Sequence, residues 1–317
     1  MKLREWVDRG EALLADSPHP DRARRDAEAL LLHQIGKNKA WLMAHGEEEF
    51  AGCSAIGYST LLERRIKGEP MQYITGECEF YGLPFRVSPD VLIPRPETEH
   101  LVEKIVHLIP AFDRPAKKLF EIKRLHPAYE DGVRRSRDGD PNLAGWPPRI
   151  LDVGTGSGAI AIAVAHDWSN ADITAIDISE RALEVARFNA KSLGFVDHIR
   201  FLQGDLLSPV DGERFEVIAS NPPYVPDTDR ALISVEVREH EPHVALFGGS
   251  DGLEIYRRLI PAAYAALVPG GYLVFEFGFS QQADVEALLA GAGFEEIEFI
   301  SDLQGIPRVA SARRRSS

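Results

Sequence analysis

From residue 149 onward the chain predicts an α/β fold: a mostly parallel sheet with helices on both faces and an antiparallel hairpin at one edge. Three observations carry this. Short β-branched runs alternate with helical patterns, the rhythm that sets parallel strands side by side. A loop with three alternating glycines, "LDVGTGSGA", joins the first run to the first helix, as in folds that bind nucleotides beyond the carboxyl end of a strand. The last two runs, "EEIEFISD" and "PRVASARR", follow one another with no helix between them, as the strands of a hairpin do.

The elements follow in order. "RILDVG", "ADITAID", "IRFLQGD" and "FEVIAS" read as strands, with helical patterns in "GAIAIAVAHDW" and "SERALEVARFNAKSL". "GLEIYRRLIPAAYAALVPGG" reads as a helix, "YLVFEFG" as a strand and "SQQADVEALLAGAG" as a helix. Upstream, residues 1–67 read as short helices. "DRARRDAEALLLHQIG" sets Ala27, Leu30, Leu31 and Ile35 at helical spacing and ends on Gly36. "AWLMAHG" and "AIGYSTLLERRIKG" also stop on glycine, a common helix terminator. Residues 68–94 are rich in aromatic and β-branched side chains, with Gly76 and Gly82 as turn points, and read as a β-hairpin linker. "RPETEHLVEKIVHLI" places Leu101, Val102, Ile105 and Leu108 on one helical face. The organisation is therefore a helical module at 1–67, a linker at 68–94 and a main domain at 95–317. An insertion at about 110–148 interrupts that domain with recurring prolines and alternating charges; "AKKLFEIKRL" in its middle reads as one helix. A loop of that length is either functional or loosely ordered.

Composition narrows the function. The chain has 317 residues, 44% of them hydrophobic, enough for a substantial core. A net charge of −13 argues against gripping nucleic acid over a long footprint. The two cysteines, Cys53 and Cys78, exclude a disulfide framework and cannot alone build a structural zinc site. The N-terminus carries Glu5, Asp8, Glu11 and Asp16 and lacks the apolar run of a signal peptide. No apolar stretch approaches the length needed to span a bilayer. A cytoplasmic monomer without membrane, metal or direct DNA partners is expected. The tail arginines, Arg313 to Arg315, are expected to fray into solvent.

Three strand ends suit parts of an adenosine. Gly154, Gly156 and Gly158, with Thr155 and Ser157 between them, let the backbone turn tightly and approach a ligand. Asp177, ending the second strand, can accept hydrogen bonds from both ribose hydroxyls. The rival role, capping the next helix, can fall to Ser179 instead. Asp205, ending the third strand, can accept from the exocyclic amine of adenine, with Leu206 against the ring; a plain turn is the alternative. These features suit NAD and S-adenosylmethionine equally. The fourth strand separates them, because it runs into "SNPPYVP", Ser220 to Pro226. A dehydrogenase leaves that motif unexplained, and no Tyr-x-x-x-Lys proton relay is evident near the core.

At this position Asn221-Pro222-Pro223-Tyr224 resembles the motif of methyltransferases that act on planar amino or amide nitrogens. Such a nitrogen is a poor nucleophile, because its lone pair is delocalised. The Asn221 side-chain oxygen and the Pro222 carbonyl can accept its two N–H groups, held in place by the fixed φ of the prolines, while Tyr224 can stack on the flat target. Over nearly its whole length the chain is similar to the HemK-type peptide chain release factor glutamine N5-methyltransferase family. The distinctive runs are "GEPMQYITGECEFYGLPFRV" with "VLIPRPETEHLVE", "EPHVALFGGSDGLEIYRRLI", and "DLQGIPRV".

That resemblance implies a Rossmann-like class I S-adenosylmethionine-dependent methyltransferase domain. A small N-terminal helical bundle that helps dock the release factor is joined to it by the hairpin linker. It implies methyl transfer from S-adenosyl-L-methionine, leaving S-adenosyl-L-homocysteine, to the glutamine of the Gly-Gly-Gln motif in class I release factors, modulating translation termination. By the same resemblance, residues 154–158, Asp177, Asp205, Leu206 and Asn221 hold the cofactor. Arg95, Glu97 and Thr98 lie near its methionine part, unless the latter two merely cap a helix. Phe80 and Tyr81 line the way into the site or simply pack the hairpin. The rival sharing the motif, a nucleic-acid adenine N6-methyltransferase, calls for a target-recognition region and a basic face that this chain lacks. The insertion departs from the family pattern. Its Lys117, Lys118, Lys123, Arg124, Arg134, Arg135 and Arg137 suggest transient contact with ribosomal RNA or the release factor, against a lineage-specific loop without function.

Overall fold

A computed structural model describes residues 1–112 and 147–316. Four helices open the chain: α1 (Leu3–Leu14), α2 (Ala23–Ile35), α3 (Lys39–His45) and α4 (Cys53–Ile66). They enclose their own core, in which Leu3, Val7, Leu14, Leu30, Leu31, Tyr58 and Leu62 are buried. The expected glycine stops hold where the backbone must turn left-handed. Gly36 caps α2 at φ 64°.

The linker departs from its expectation in one part. Met71–Thr75 forms a short helix, α5, capped by Gly76 at φ 78°. The proline at its N-terminal cap and the glycine after it bracket one helical turn, which β-branched content alone does not reveal. The hairpin proper is β1 (Glu77–Phe80) and β2 (Leu83–Arg86), turning through Tyr81 and Gly82, both at positive φ. Asn189 fastens it to the main domain. Its Oδ1 accepts from Arg86 N at 2.8 Å, and its Nδ2 donates to Arg86 O and Ser157 O, each at 2.9 Å.

The main domain begins with α6 (Glu99–Leu108), which buries the four residues expected of its apolar face. The expected helix at 116–125 and the basic residues of the insertion lie outside the described residues. Then come β3 (Arg149–Val153), α7 (Ala159–Asp167), β4 (Asp172–Asp177), α8 (Glu180–Leu193), β5 (Ile199–Gln203) and β6 (Phe215–Ser220). After β6 lie two short helices, α9 (Val235–His240) and α10 (His243–Leu246). The chain closes with α11 (Glu254–Ala266), β7 (Leu267–Glu276), α12 (Gln282–Gly291), β8 (Phe294–Ser301) and β9 (Pro307–Arg314). Every residue of β3 is buried, and so are Ala159 to Ala165 of α7, so both lie at the centre of the layers.

The seven strands run in the order β5-β4-β3-β6-β7-β9-β8. Among the described strands of this sheet β9 alone runs opposite to the others, lying between β7 and β8 as the hairpin partner. Strand order reverses between β3 and β6, and a doubly wound sheet binds ligands at such a switch point. Two expectations fail. The helix over "GLEIYRRLIPAAYAALVPGG" ends at Ala266, and the last five residues already belong to β7. Pairing with β6 skips from Leu267 to Tyr272, so a bulge containing Gly270 and Gly271 hides the strand's start. Arg313 and Arg314 do not fray. Arg313 pairs with Glu296 at 2.8 Å, and Arg314 donates to the carbonyl of Leu267.

Candidate active site

One cavity spans the carboxyl ends of β3, β4, β5 and β6. The glycine loop forms its floor. Gly154 and Gly156 sit at φ 74° and 55°, and a Cβ on either would meet nothing within 4 Å. Their freedom serves the backbone turn, and the space above them is left open to a ligand. Gly158 differs. A Cβ there would lie 3.2 Å from Ala186 Cβ and 3.0 Å from Ile162 Cδ1, so this glycine lets α8 pack closely on α7.

Asp177 does two jobs in the structure. Its Oδ2 accepts from Gly156 N at 2.8 Å and its Oδ1 from Ser179 N at 2.9 Å. The carboxylate thus pins the glycine loop while each oxygen keeps a further lone pair. Burial raises its pKa, and the backbone N–H groups of Ser179 and Gly156 oppose that rise. Ser179 supplies the helix cap, accepting from Ala182 N at 3.2 Å. Asp205 and Leu206 both line the cavity, but Asp205 is ion-paired with the exposed Arg258, another lining residue. Exposed pairs of this kind contribute little, so the carboxylate is readily exchanged to a different donor.

At the end of β6, Asn221, Pro222 and Pro223 line the wall. Asn221 Nδ2 donates to Glu276 Oε2 at 2.9 Å and to Thr98 Oγ1 at 3.0 Å. A carboxylate only accepts, so the nitrogen must face it and Oδ1 must face away. Among the described residues Oδ1 and the Pro222 carbonyl accept no hydrogen bond. Two acceptors are thus held on the wall of the cavity.

Several expected residues sit elsewhere. Tyr224 does not line the cavity; its hydroxyl donates to Glu276 Oε1 at 3.0 Å and its carbonyl accepts from Gln281 Nε2 at 3.0 Å. Burial and the neighbouring Glu276 push its phenol well above the ordinary range. Its ring is therefore committed to the layer behind the motif, and stacking on a target is not its arrangement here. Of Arg95, Glu97 and Thr98, only Thr98 lines the cavity. Arg95 donates to Glu241 at 2.5 Å. Burial favours neutral Arg95, yet Glu241 outweighs it and raises the pKa. Phe80 packs in the core against Phe85, and Tyr81 donates to Asp167 at 2.9 Å, so neither reaches the cavity.

Glu276 and Asp152 are among the buried carboxylates that the sequence does not single out. Glu276, at the end of β7, is 2% exposed and gathers Thr98 Oγ1 at 2.5 Å, Asn221 Nδ2 and Tyr224 OH. Burial raises its pKa, opposed by the hydrogen bonds from Thr98 and Tyr224. The available signal was a glutamate inside the apolar run "YLVFEFG". Asp152, in β3 beneath the glycine loop, accepts from Thr155 Oγ1 at 2.6 Å and Ala161 N at 3.2 Å. Complete burial pushes it up to about 7.

Comparison with known proteins falls on the same frame. The family model of the PrmC N-terminal domain matches residues 5–76, and that of a methyltransferase domain matches residues 148–275. A release factor glutamine methyltransferase of Koribacter versatilis is 38% identical over 304 residues, 96% of this chain and 94% of that one. One from Bradyrhizobium diazoefficiens is 39% identical over 295 residues, 93% of this chain and 89% of that one. Among solved structures, the hMettl16 catalytic domain in complex with a MAT2A 3'UTR hairpin aligns with a TM-score of 0.52. That alignment covers 83% of this chain and 82% of that one at 14% identity, a likeness of fold alone.

Proposed function

Because the chain belongs to the release factor glutamine methyltransferase family, we propose that it methylates the side-chain amide nitrogen, N5, of the glutamine in the Gly-Gly-Gln motif of peptide chain release factors. S-Adenosylmethionine supplies an electrophilic methyl group when bound. Residues 154–158 and Asp177 hold its ribose end and Asp205 with Leu206 its adenine, after Asp205 leaves Arg258. Thr98 and Asn221 lie toward its methionine part.

One observation carries the reading: Asn221 Nδ2 is tied inward to Glu276 and Thr98, which leaves Oδ1 and the Pro222 carbonyl as a pair of acceptors on the cavity wall. An amide NH2 fits that pair. Each N–H donates to one acceptor, which loosens the nitrogen lone pair from the carbonyl as the group leaves planarity. Held this way, the nitrogen would take the methyl carbon from the bound sulfonium, whose carbon–sulfur electron pair would stay on sulfur. The N–H proton passes to water once nitrogen carries the methyl. The chain's contribution is position and preorganised electrostatics. The N-terminal helices give the release factor a docking surface.

The test is mass spectrometry of a purified bacterial release factor incubated with the protein and S-adenosylmethionine, beside an Asn221→Ala control. The expected result is one added methyl on the glutamine of the Gly-Gly-Gln peptide, lost in the control by on the order of 100-fold in rate or more. No methyl with cofactor binding intact contradicts the reading.

A further inference from the structure

The catalytic wall rests on a carboxylate that never reaches the cavity. Glu276 terminates β7, next to β6 in the sheet, and its two oxygens take three donors from three elements. Thr98 comes from the turn before α6, Asn221 from the end of β6, and Tyr224 from the loop beyond it. We propose that Glu276 is a positioning residue for methyl transfer, fixing the Asn221 amide with Oδ1 toward the substrate and enriching that oxygen as an acceptor.

Geometry sets the orientation of the amide. An asparagine amide on a cavity wall can present either end to a ligand. With nitrogen outward it would offer donors, and an incoming amide NH2 would meet donor against donor. The carboxylate removes that option, because it can only accept from Nδ2. Charge adds a second effect. An N–H donating to an ionised, desolvated carboxylate polarises the amide and shifts electron density onto its oxygen. Oδ1 then accepts more strongly from the substrate N–H as the nitrogen becomes cationic in the transition state. This interaction grows along the reaction, so it belongs in kcat and not in KM. The inference deepens the proposed amide methylation and rests on it.

The surroundings bear on the charge of Glu276. Glu97 before α6 disfavours the anion, whereas Arg308 of β9 favours it. Tyr224 faces it with a phenol that stays protonated, and Tyr256 of α11 donates to the Glu276 main-chain carbonyl at 3.3 Å. Arg95 lies further out, toward Tyr224 and Glu241. A protonated Glu276 donates from one oxygen, which reverses its hydrogen bond with the Thr98 or Tyr224 hydroxyl and removes the charge that polarises the Asn221 amide. Activity therefore carries an acid limb set by this group.

The test is Glu276→Gln, of nearly the same shape, in the full-length enzyme with a release factor and S-adenosylmethionine. The expected result is a fall in kcat on the order of 10- to 100-fold, with KM for both substrates held and the acid limb of the kcat profile gone. In an Asn221→Ala background, single-turnover rates show no further loss on adding Glu276→Gln, because one residue acts through the other. A wild-type kcat, losses that multiply in the double variant, or an effect confined to cofactor KM overturns the proposal. A substrate-free readout stands beside it in the wild-type protein. The Asn221 side-chain amide protons, identified by their loss in Asn221→Ala, are expected downfield in nitrogen-15 NMR spectra and to move as Glu276 titrates. Ordinary shifts that ignore pH overturn the positioning role even if the variant does not fold. If the NMR signature holds but no glutamine is methylated, the substrate reading fails and the positioning role stands.

Discussion

At the scale of single residues, the molecule places carboxylates where water does not reach them. Asp152 shows the consequence for stability. Burial lifts its pKa from the ordinary carboxylate range to about 7, so between those values the folded chain holds a proton that the unfolded chain has lost. Stability from this group is complete in acid and falls as pH rises through that window. Asp152→Asn removes the titration. Its denaturation free energy, compared with wild type at pH 5 and pH 8, is expected to gain relative to wild type by on the order of a few kcal/mol at the higher pH. A difference that does not change with pH contradicts the assignment. Asp177, Asn221 and the glycines were legible because each stands in a run whose spacing has chemical meaning. Glu276 was not, since its partners Thr98 and Asn221 lie 178 and 55 positions away. A lone acid in an apolar strand does not say what it faces.

At the scale of elements, the alternation of strand and helix was readable because each strand from β3 to β6 is short, β-branched and bounded by turn residues. The boundary at Ala266 was not. Helical and strand patterns run together there, and only the sheet register, with its bulge at Gly270 and Gly271, decides where β7 begins. Met71–Thr75 was missed for a similar reason, since one helical turn is too short to show a period. The junction of β3, α7 and α8 makes a sharper claim. Gly158 combines φ 83° with a Cβ position 3.0–3.2 Å from Ile162 and Ala186. Gly158→Ala is expected to lower stability by roughly 1–3 kcal/mol and to weaken S-adenosylmethionine binding, because the loop must lift off α8. Calorimetric titration and a denaturant melt check both; an unchanged pair of values refutes the close-packing role.

At the scale of the whole molecule, a buried arginine helps join the helical N-terminal region to α9, beside His19 on Glu236 at 3.0 Å and His240 on the Lys67 carbonyl at 3.4 Å. Arg65 of α4 is 1% exposed. Its Nε donates to Asp26 of α2 at 2.7 Å, and its Nη1 donates to Glu236 of α9 at 2.8 Å and to Glu69 O at 2.8 Å. Five residues after Glu236, Glu241 braces Arg95 and accepts from Ile93 N at 3.3 Å, beside the cavity. The chain of contacts thus runs from the N-terminal helices, through α9, to Ile93, Arg95 and Glu241, whose neighbours Leu92, Pro94 and Pro242 line the cavity. Arg65→Met keeps the volume but leaves the buried Asp26 without its cation and Glu236, half-buried, with only His19 at 3.0 Å. Breaking one partner of a buried pair costs about 3–5 kcal/mol, whereas replacing all members by apolar residues is often neutral. Arg65→Met is therefore expected to destabilise by that amount, with faster amide hydrogen exchange in α4 and α9 together while β3 and β6 stay protected. Replacing Asp26 and Glu236 by Leu in the same chain should recover most of the loss in a denaturant melt. Faster exchange in α4 alone would mean that the arginine serves only its own helices, and that α9 is held to the N-terminal region by other contacts.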